Sequence, residues 1–176
     1  MVQLEDLQQY LKDEKSGVKL IPIKADQIIF EERVKLNCLY CENYNSHWRC
    51  PGKLPELDYQ KIIGEYTHLA AAYQEFPFTA DNYEEVRYES SRVLHETLLK
   101  LEGYLFSKGE PMGKSFIAGP CKLCKECDPE KCRHPFQSRV SLEAVGCNVI
   151  KTMENIGIDV DFSLTDHLKR VGLMMW

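Results

Sequence analysis

The sequence has no apolar run approaching the roughly 18 residues that a membrane-spanning helix needs, so no membrane span is expected. Nor does its beginning read as a signal peptide: MVQLEDLQQYLKDEK carries acidic residues and lacks an apolar core segment. The expected compartment is therefore the cytoplasm, where thiols stay reduced. Positive charge is in short supply, with 22 Lys and Arg against 27 Asp and Glu and a net charge of −5. A nucleic-acid partner is not expected, because such surfaces need clustered cations. Gly (10) and Pro (8) show no fibrous or linker-like excess. There is no internal repeat, no Gly-rich phosphate loop, and no G-x-S-x-G or H-E-x-x-H motif, which removes the common signatures of nucleotide, serine-hydrolase and zinc-protease chemistry.

What the sequence does have is cysteine, eight in 176 residues. A chain of this length can bury a core without disulfide staples. The thiols must then be core residues, redox groups or metal ligands. Core cysteines would be scattered, and these are not. Cys38, Cys41 and Cys50 form one group, and Cys121, Cys124, Cys127 and Cys132 form another. Only Cys147 stands apart. Clustering of this kind points to metal.

Hydrophobic residues make up 44% and charged residues 28%, the balance of an ordinary globular domain. We expect one domain over 1–176, with the cysteine loop 119–135 as an insertion on it. Leu4, Leu7 and Leu11 predict a short helix over 4–14, ended by Gly17. Strands are predicted over 18–23, which Pro22 demotes to an edge, and over 27–36. The first cysteine segment reads as a loop. A helix over 56–66, opened by Pro55, and a strand over 68–76 follow. The longest helix is predicted over 82–107, with Asp81 as N-cap, Glu84 completing a capping box, and Val86, Val93, Leu94, Leu98, Leu101 and Leu105 recurring at helical period. A strand is predicted over 114–118. A last helix over 141–156 has Ser141 as N-cap and Leu142, Val145, Val149, Met153 and Ile156 as its stripe. Strands are predicted over 158–162 and after Leu164. Strands and helices mix without a βαβ rhythm, so the expected class is α+β: a small mixed sheet, about four helices and two metal-binding loops.

The second segment, CKLCKECDPEKC, has the spacing C-x2-C-x2-C-x4-C. Three cysteines at successive intervals of three let one loop wrap a compact cluster. Bacterial ferredoxins use C-x2-C-x2-C-x3-C-P in this way. The last gap here is longer, and Arg133 rather than proline follows Cys132. Zinc is the rival, but structural zinc sites usually join two C-x2-C pairs across a dozen or more residues. The spacing favours a [4Fe–4S] cluster on Cys121, Cys124, Cys127 and Cys132.

The first segment has the spacing C-x2-C-x8-C and brings only three thiols. Three completions are open: His47 as a fourth ligand, Cys147 as a fourth ligand, or a free coordination position. Cys147 falls off the apolar stripe of its predicted helix, which leaves ligation possible without arguing for it. A free position would let a cluster or zinc ion bind substrate, whereas a fully ligated one only transfers electrons or supports the fold.

The runs VKLNCLYCENYNSHWRCP and GPCKLCKECDPEKCRHPFQSRVSLEAVG resemble an uncharacterised family of predicted metal-binding proteins, a cysteine-rich domain of unknown function common in anaerobic bacteria and archaea. The resemblance covers about Val18 to Ile158. It implies that Cys121, Cys124, Cys127 and Cys132 act as one ligand set and Cys38, Cys41 and Cys50 as another. Members often carry a double proline after the third early cysteine; here it is Pro51-Gly52. His47 and Cys147 match no ligand position of the family.

Among the other polar residues, Arg133, His134 and Arg139 follow the cluster loop, where they either raise a cluster potential or are simply surface charge on a loop. Glu143 sits in the first turn of the predicted last helix, where the macrodipole accounts for an acid without catalysis. Tyr40, Tyr44 and Trp48 read as packing over a metal loop. His68, His95 and His167 are dispersed and read as structural. Three functions are compatible with this reading. The first is an iron–sulfur protein of anaerobic metabolism that passes electrons to a partner oxidoreductase or methyltransferase system. The second is an enzyme with an open iron at Cys38, Cys41 and Cys50, suited to desulfuration or reductive chemistry. The third is a zinc-binding interaction module.

Overall fold

The two halves of the core lie on opposite faces of a four-stranded antiparallel sheet, of order β1-β2-β4-β3. The computed structural model describes residues 1–160 and 166–176. In chain order its elements are α1 (Leu4–Asp13), β1 (Lys19–Pro22), α2 (Val34–Leu39), α3 (Tyr59–Gly64), β2 (Leu69–Pro77), α4 (Tyr83–Ser107), β3 (Lys114–Ile117), α5 (Val149–Asn155) and β4 (His167–Met175). Five helices and one sheet make the fold α+β, as expected. Among the described residues no helix is long and apolar enough to cross a membrane.

Alternation along the central strands sorts side chains between the faces. On β2, Ala70 and Ala72 face α4 and α1, while Leu69, Ala71 and Tyr73 join the opposite core. β4 does the same with Met174 on one side and Val171, Leu173 and Met175 on the other. Leu94, Leu98, Leu101 and Leu105 bring α4 onto the first face beside Leu7 and Leu11 of α1. The helix comes close because β4 offers Gly172, where a Cβ would lie 2.7 Å from Leu98 Cδ1 and 2.9 Å from the Phe116 carbonyl. The second face is covered by Ile63 of α3, by Val149 and Met153 of α5, and by Leu142 and Val145. Among the described residues β1 pairs only with β2, so Pro22 sits at the end of an edge strand, where its missing N–H costs nothing.

Several boundaries depart from expectation. The strand predicted over 27–36 is absent except for a single bridge between Phe30 and Cys147. Asn148 donates to the Ile29 carbonyl at 2.7 Å and Glu31 to the Gly146 carbonyl at 2.8 Å. The Glu31 carboxylate then ties down Asn148 (2.7 Å) and Lys151 (2.6 Å) and engages Arg33, and the chain turns into α2 instead of extending. Those contacts hold the Glu31 carboxyl down at about 2. α2 also carries Cys38, so the first cysteine segment is not all loop.

The helix predicted over 141–156 is broken. A short 3-10 turn spans Glu143–Val145, Gly146 takes φ 90°, and α5 begins only at Val149. Asn148, not Ser141, caps α5 by accepting from the Lys151 N–H at 3.1 Å. Apolar residues on both sides of the break keep a helical period although the backbone between them pairs with 29–31. Similarly, Asp58 rather than Pro55 starts α3. Asn82 rather than Asp81 occupies the N-cap position of α4, and its side chain accepts from the Thr79 N–H at 2.7 Å to close the preceding 3-10 turn. Val93 lies outside the α4 seam and is exposed. Residues 158–160 form no strand. The remainder of that predicted strand, 161–162, lies outside the described residues.

Candidate metal centre

The second cysteine loop leaves the sheet and returns at one point. Ile117 ends β3, and Ser141 comes back beside it in a parallel bridge. Ile117 donates to the Val140 carbonyl at 3.1 Å, and Leu142 to the Ile117 carbonyl at 2.8 Å. Between them, residues 118–140 contain no helix or strand. Asp128 turns the chain between Cys127 and Cys132 by accepting from the Glu130 N–H at 3.0 Å, which accommodates the longer last gap. Cys121, Cys124, Cys127 and Cys132 all line one cavity.

The wall of that cavity comes from the first cysteine segment, in the form of His47, Trp48 and Arg49. Trp48 Nε1 donates to the Asp128 carbonyl at 2.8 Å. Arg49 donates to Ser138 Oγ at 2.8 Å and to the Pro135 carbonyl at 3.1 Å. Ser138 is buried, and its Oγ is 3.5 Å from Cys132 Sγ. α4 holds the loop from the other side through Tyr88 Oη to the Lys122 carbonyl (3.1 Å) and His95 Nε2 to the Gln137 carbonyl (3.0 Å). Arg133 and His134 line the cavity. Arg139 turns away from it to pair with Glu102 of α4.

Cys38, Cys41 and Cys50 line a second cavity of about 190 Å³. A run of turns brings them together: Cys41 donates to the Cys38 carbonyl at 3.2 Å and Cys50 to the His47 carbonyl at 3.1 Å. Gly52 closes the segment at φ 94°, and a Cβ there would meet Asn45 Oδ1 at 3.0 Å. A proline cannot adopt that φ, so Pro51-Gly52 makes a different turn from a double proline. The far wall is Gly119, Pro120, Ser141 and Glu143, the root of the other cysteine loop. Both candidate completions of this site face elsewhere. His47 lines the four-cysteine cavity. Cys147 is 1% exposed, packed in the core with its Sγ 3.6 Å from Thr152 Oγ1. Of the aromatics, Tyr44 lines this cavity, Trp48 lines the other, and Tyr40 is exposed.

The two thiol sets meet at Cys50. It is buried, and that burial together with neighbouring Cys38, Cys41, Cys127 and Cys121 pushes its thiol up to about 12. Burial also raises Cys121 and Cys38, the latter with help from the Glu143 charge. Such thiols stay protonated until a cation arrives, so metal entry must release protons. Among the described residues, no three His, Cys, Asp or Glu side chains already converge on a single ion position.

A family of predicted metal-binding proteins, DUF2284, matches residues 21–176. The chain belongs to this family. No curated protein and no solved structure matches it. The DUF2284 match takes in both cysteine segments and runs past the expected limit at Ile158 to include β4. For DUF2284 the donor set fits the family description: seven of the eight cysteines line two adjoining cavities, and the eighth is a core residue. Glu143, expected at a helix start, lines the three-cysteine cavity.

Proposed function

We propose that the protein is an iron–sulfur electron carrier, with a [4Fe–4S] cluster on Cys121, Cys124, Cys127 and Cys132 and a second metal centre on Cys38, Cys41 and Cys50. The observation that carries this reading is that one loop brings all four thiols to line a single cavity. Their spacing, C-x2-C-x2-C-x4-C, supports a cubane over a single zinc ion, which usually joins two separated C-x2-C pairs. When bound, such a cluster supplies one-electron transfer. A partner oxidoreductase or methyltransferase system is the proposed recipient.

The chain's own residues set the conditions. Arg49 and Arg133 bring positive charge to the cavity wall. Ser138 Oγ accepts from Arg49 and from the Cys132 thiol; once that sulfur is ionised as a ligand, the Ser138 O–H would donate to the thiolate instead. Such a bond favours the more negative, reduced state. Ser138→Ala is expected to lower the midpoint potential by roughly 40 mV, taking about 1 kcal/mol for the bond and 59 mV per tenfold for one electron. A redox titration with an unchanged midpoint would remove the serine from this role.

The test of the proposal is anaerobic purification followed by Fe, sulfide and Zn analysis. About four irons per chain supports one cluster and about eight supports two, each with broad visible absorption. A colourless protein holding zinc alone would replace the electron carrier by the interaction module. A second reading, an enzyme, is favoured by one observation: the three-cysteine cavity is roomy and carries a carboxylate.

A further inference from the structure

We propose that the Glu143 carboxylate is the fourth ligand of the metal centre held by Cys38, Cys41 and Cys50. The inference rests on the reading of those three cysteines as a metal site. It starts from where the side chain lies. Glu143 opens the 3-10 turn at the root of the four-cysteine loop and lines the three-cysteine cavity. It is close enough to Cys38 for its charge to raise that thiol.

Its partners do not neutralise it. The two carboxylate oxygens lie 3.0 and 3.3 Å from the Gly119 N–H, and the Ser141 hydroxyl and its own amide add support. No Lys, Arg or His forms an ion pair with it among the described residues. The contrast is Glu102, the other deeply placed acid, which the fold matches with Arg139. Burial raises the Glu143 carboxyl from its ordinary value, so without a cation it takes a proton. A metal ion in the adjoining cavity would displace that proton and give the carboxylate its missing cation. The other candidates for the fourth position, His47 and Cys147, line other spaces.

Oxygen in place of sulfur has a chemical consequence. A carboxylate is a harder donor than thiolate and suits a soft, thiolate-bound iron less well. The fourth position is thereby held but exchangeable, and a small thiol or anion can displace Glu143 from it.

The test uses the full chain, reconstituted anaerobically with iron and sulfide, comparing wild type with Glu143→Gln, Glu143→Cys and Cys50→Ser. Metal per chain and EPR of the reduced protein are read. Glu143→Gln keeps an acceptor for Gly119 but loses the charge. It is expected to leave the four-cysteine signal intact, which also reports that the loop has folded, and to shift or abolish the second signal. Glu143→Cys is expected to restore full metal content with a new line shape that added thiol no longer perturbs. An unchanged second signal in both glutamate variants overturns the ligand assignment while the metal site stands. A wild type with a single centre, matched by Cys50→Ser in metal content, overturns the metal site and the ligand with it.

Discussion

Replacing Cys127 by serine is expected to strip the 118–140 loop of its metal, a loss of about four irons per chain. Cys127 is the third of four thiols around the cavity, and serine offers a hydroxyl that does not ionise near neutral pH. The loop has no helix or strand to keep its shape once the metal is gone. Its remaining ties include side-chain contacts from Trp48, Arg49, Tyr88 and His95 and, at its ends, the Arg139–Glu102 pair and the Gly119 N–H to Glu143. The sheet and both cores lie elsewhere, so they are expected to persist. Iron analysis should therefore show the loss, while limited proteolysis shows cleavage confined to the loop and far-ultraviolet circular dichroism changes little. Cys147→Ser is the matched control: its thiol lines neither metal cavity, and its metal content is expected to equal that of wild type. Full iron retention in Cys127→Ser would sink the assignment of this ligand set.

Arg139→Ala is expected to be the most destabilising change outside the hydrophobic cores. Arg139 Nε donates to Glu102 Oε1 at 2.7 Å, and Ser115 Oγ donates to the same oxygen at 2.6 Å. The two charged side chains are 15% and 9% exposed, so solvent screens the pair weakly. Removing the guanidinium leaves a carboxylate stranded against α4, at a cost of about 3–5 kcal/mol. For a chain of this size that is roughly 10 °C in melting temperature. Because the cost lies in the unpaired charge, Glu102→Leu/Arg139→Met should recover most of it. Thermal unfolding of the single and double variants checks both expectations. A loss below about 1 kcal/mol in the single variant would mean that water reaches Glu102 as it does at a surface pair.

The long elements were legible because their patterns are local. α1 and α4 announce themselves through leucines at helical period, and β2 and β3 through short apolar runs beside Pro77 and Gly119-Pro120. Failures came where tertiary pairing overrode local pattern. Residues 27–36 are rich in β-branched and aromatic side chains, yet only Phe30 finds a partner, because Glu31 is held by Asn148 and Lys151. The stripe from Leu142 to Ile156 conceals the left-handed Gly146, since periodicity does not register a break that preserves phase. At the site, the grouping of seven cysteines was visible in spacing alone. That His47 lines the four-cysteine cavity and Glu143 the three-cysteine one depends on how 118–140 returns to Ile117, a contact that no local pattern encodes.

The position of β4 governs the order of events during synthesis. β4 is flanked by β2 and β3 in the sheet, yet it follows both cysteine segments along the chain. Its partners in β2 were made about a hundred residues earlier, a long-range pairing of the kind that forms slowly. Every cysteine of both sets thus leaves the ribosome before the strand that completes the sheet beneath them. Until β4 docks, Ala118 lacks the Val171 carbonyl that fixes the start of the second loop. Cluster assembly on a nascent chain would find eight unprotected thiols and no finished cavity. A metal held by the second loop would therefore gain its full anchor to the sheet only after β4 has docked.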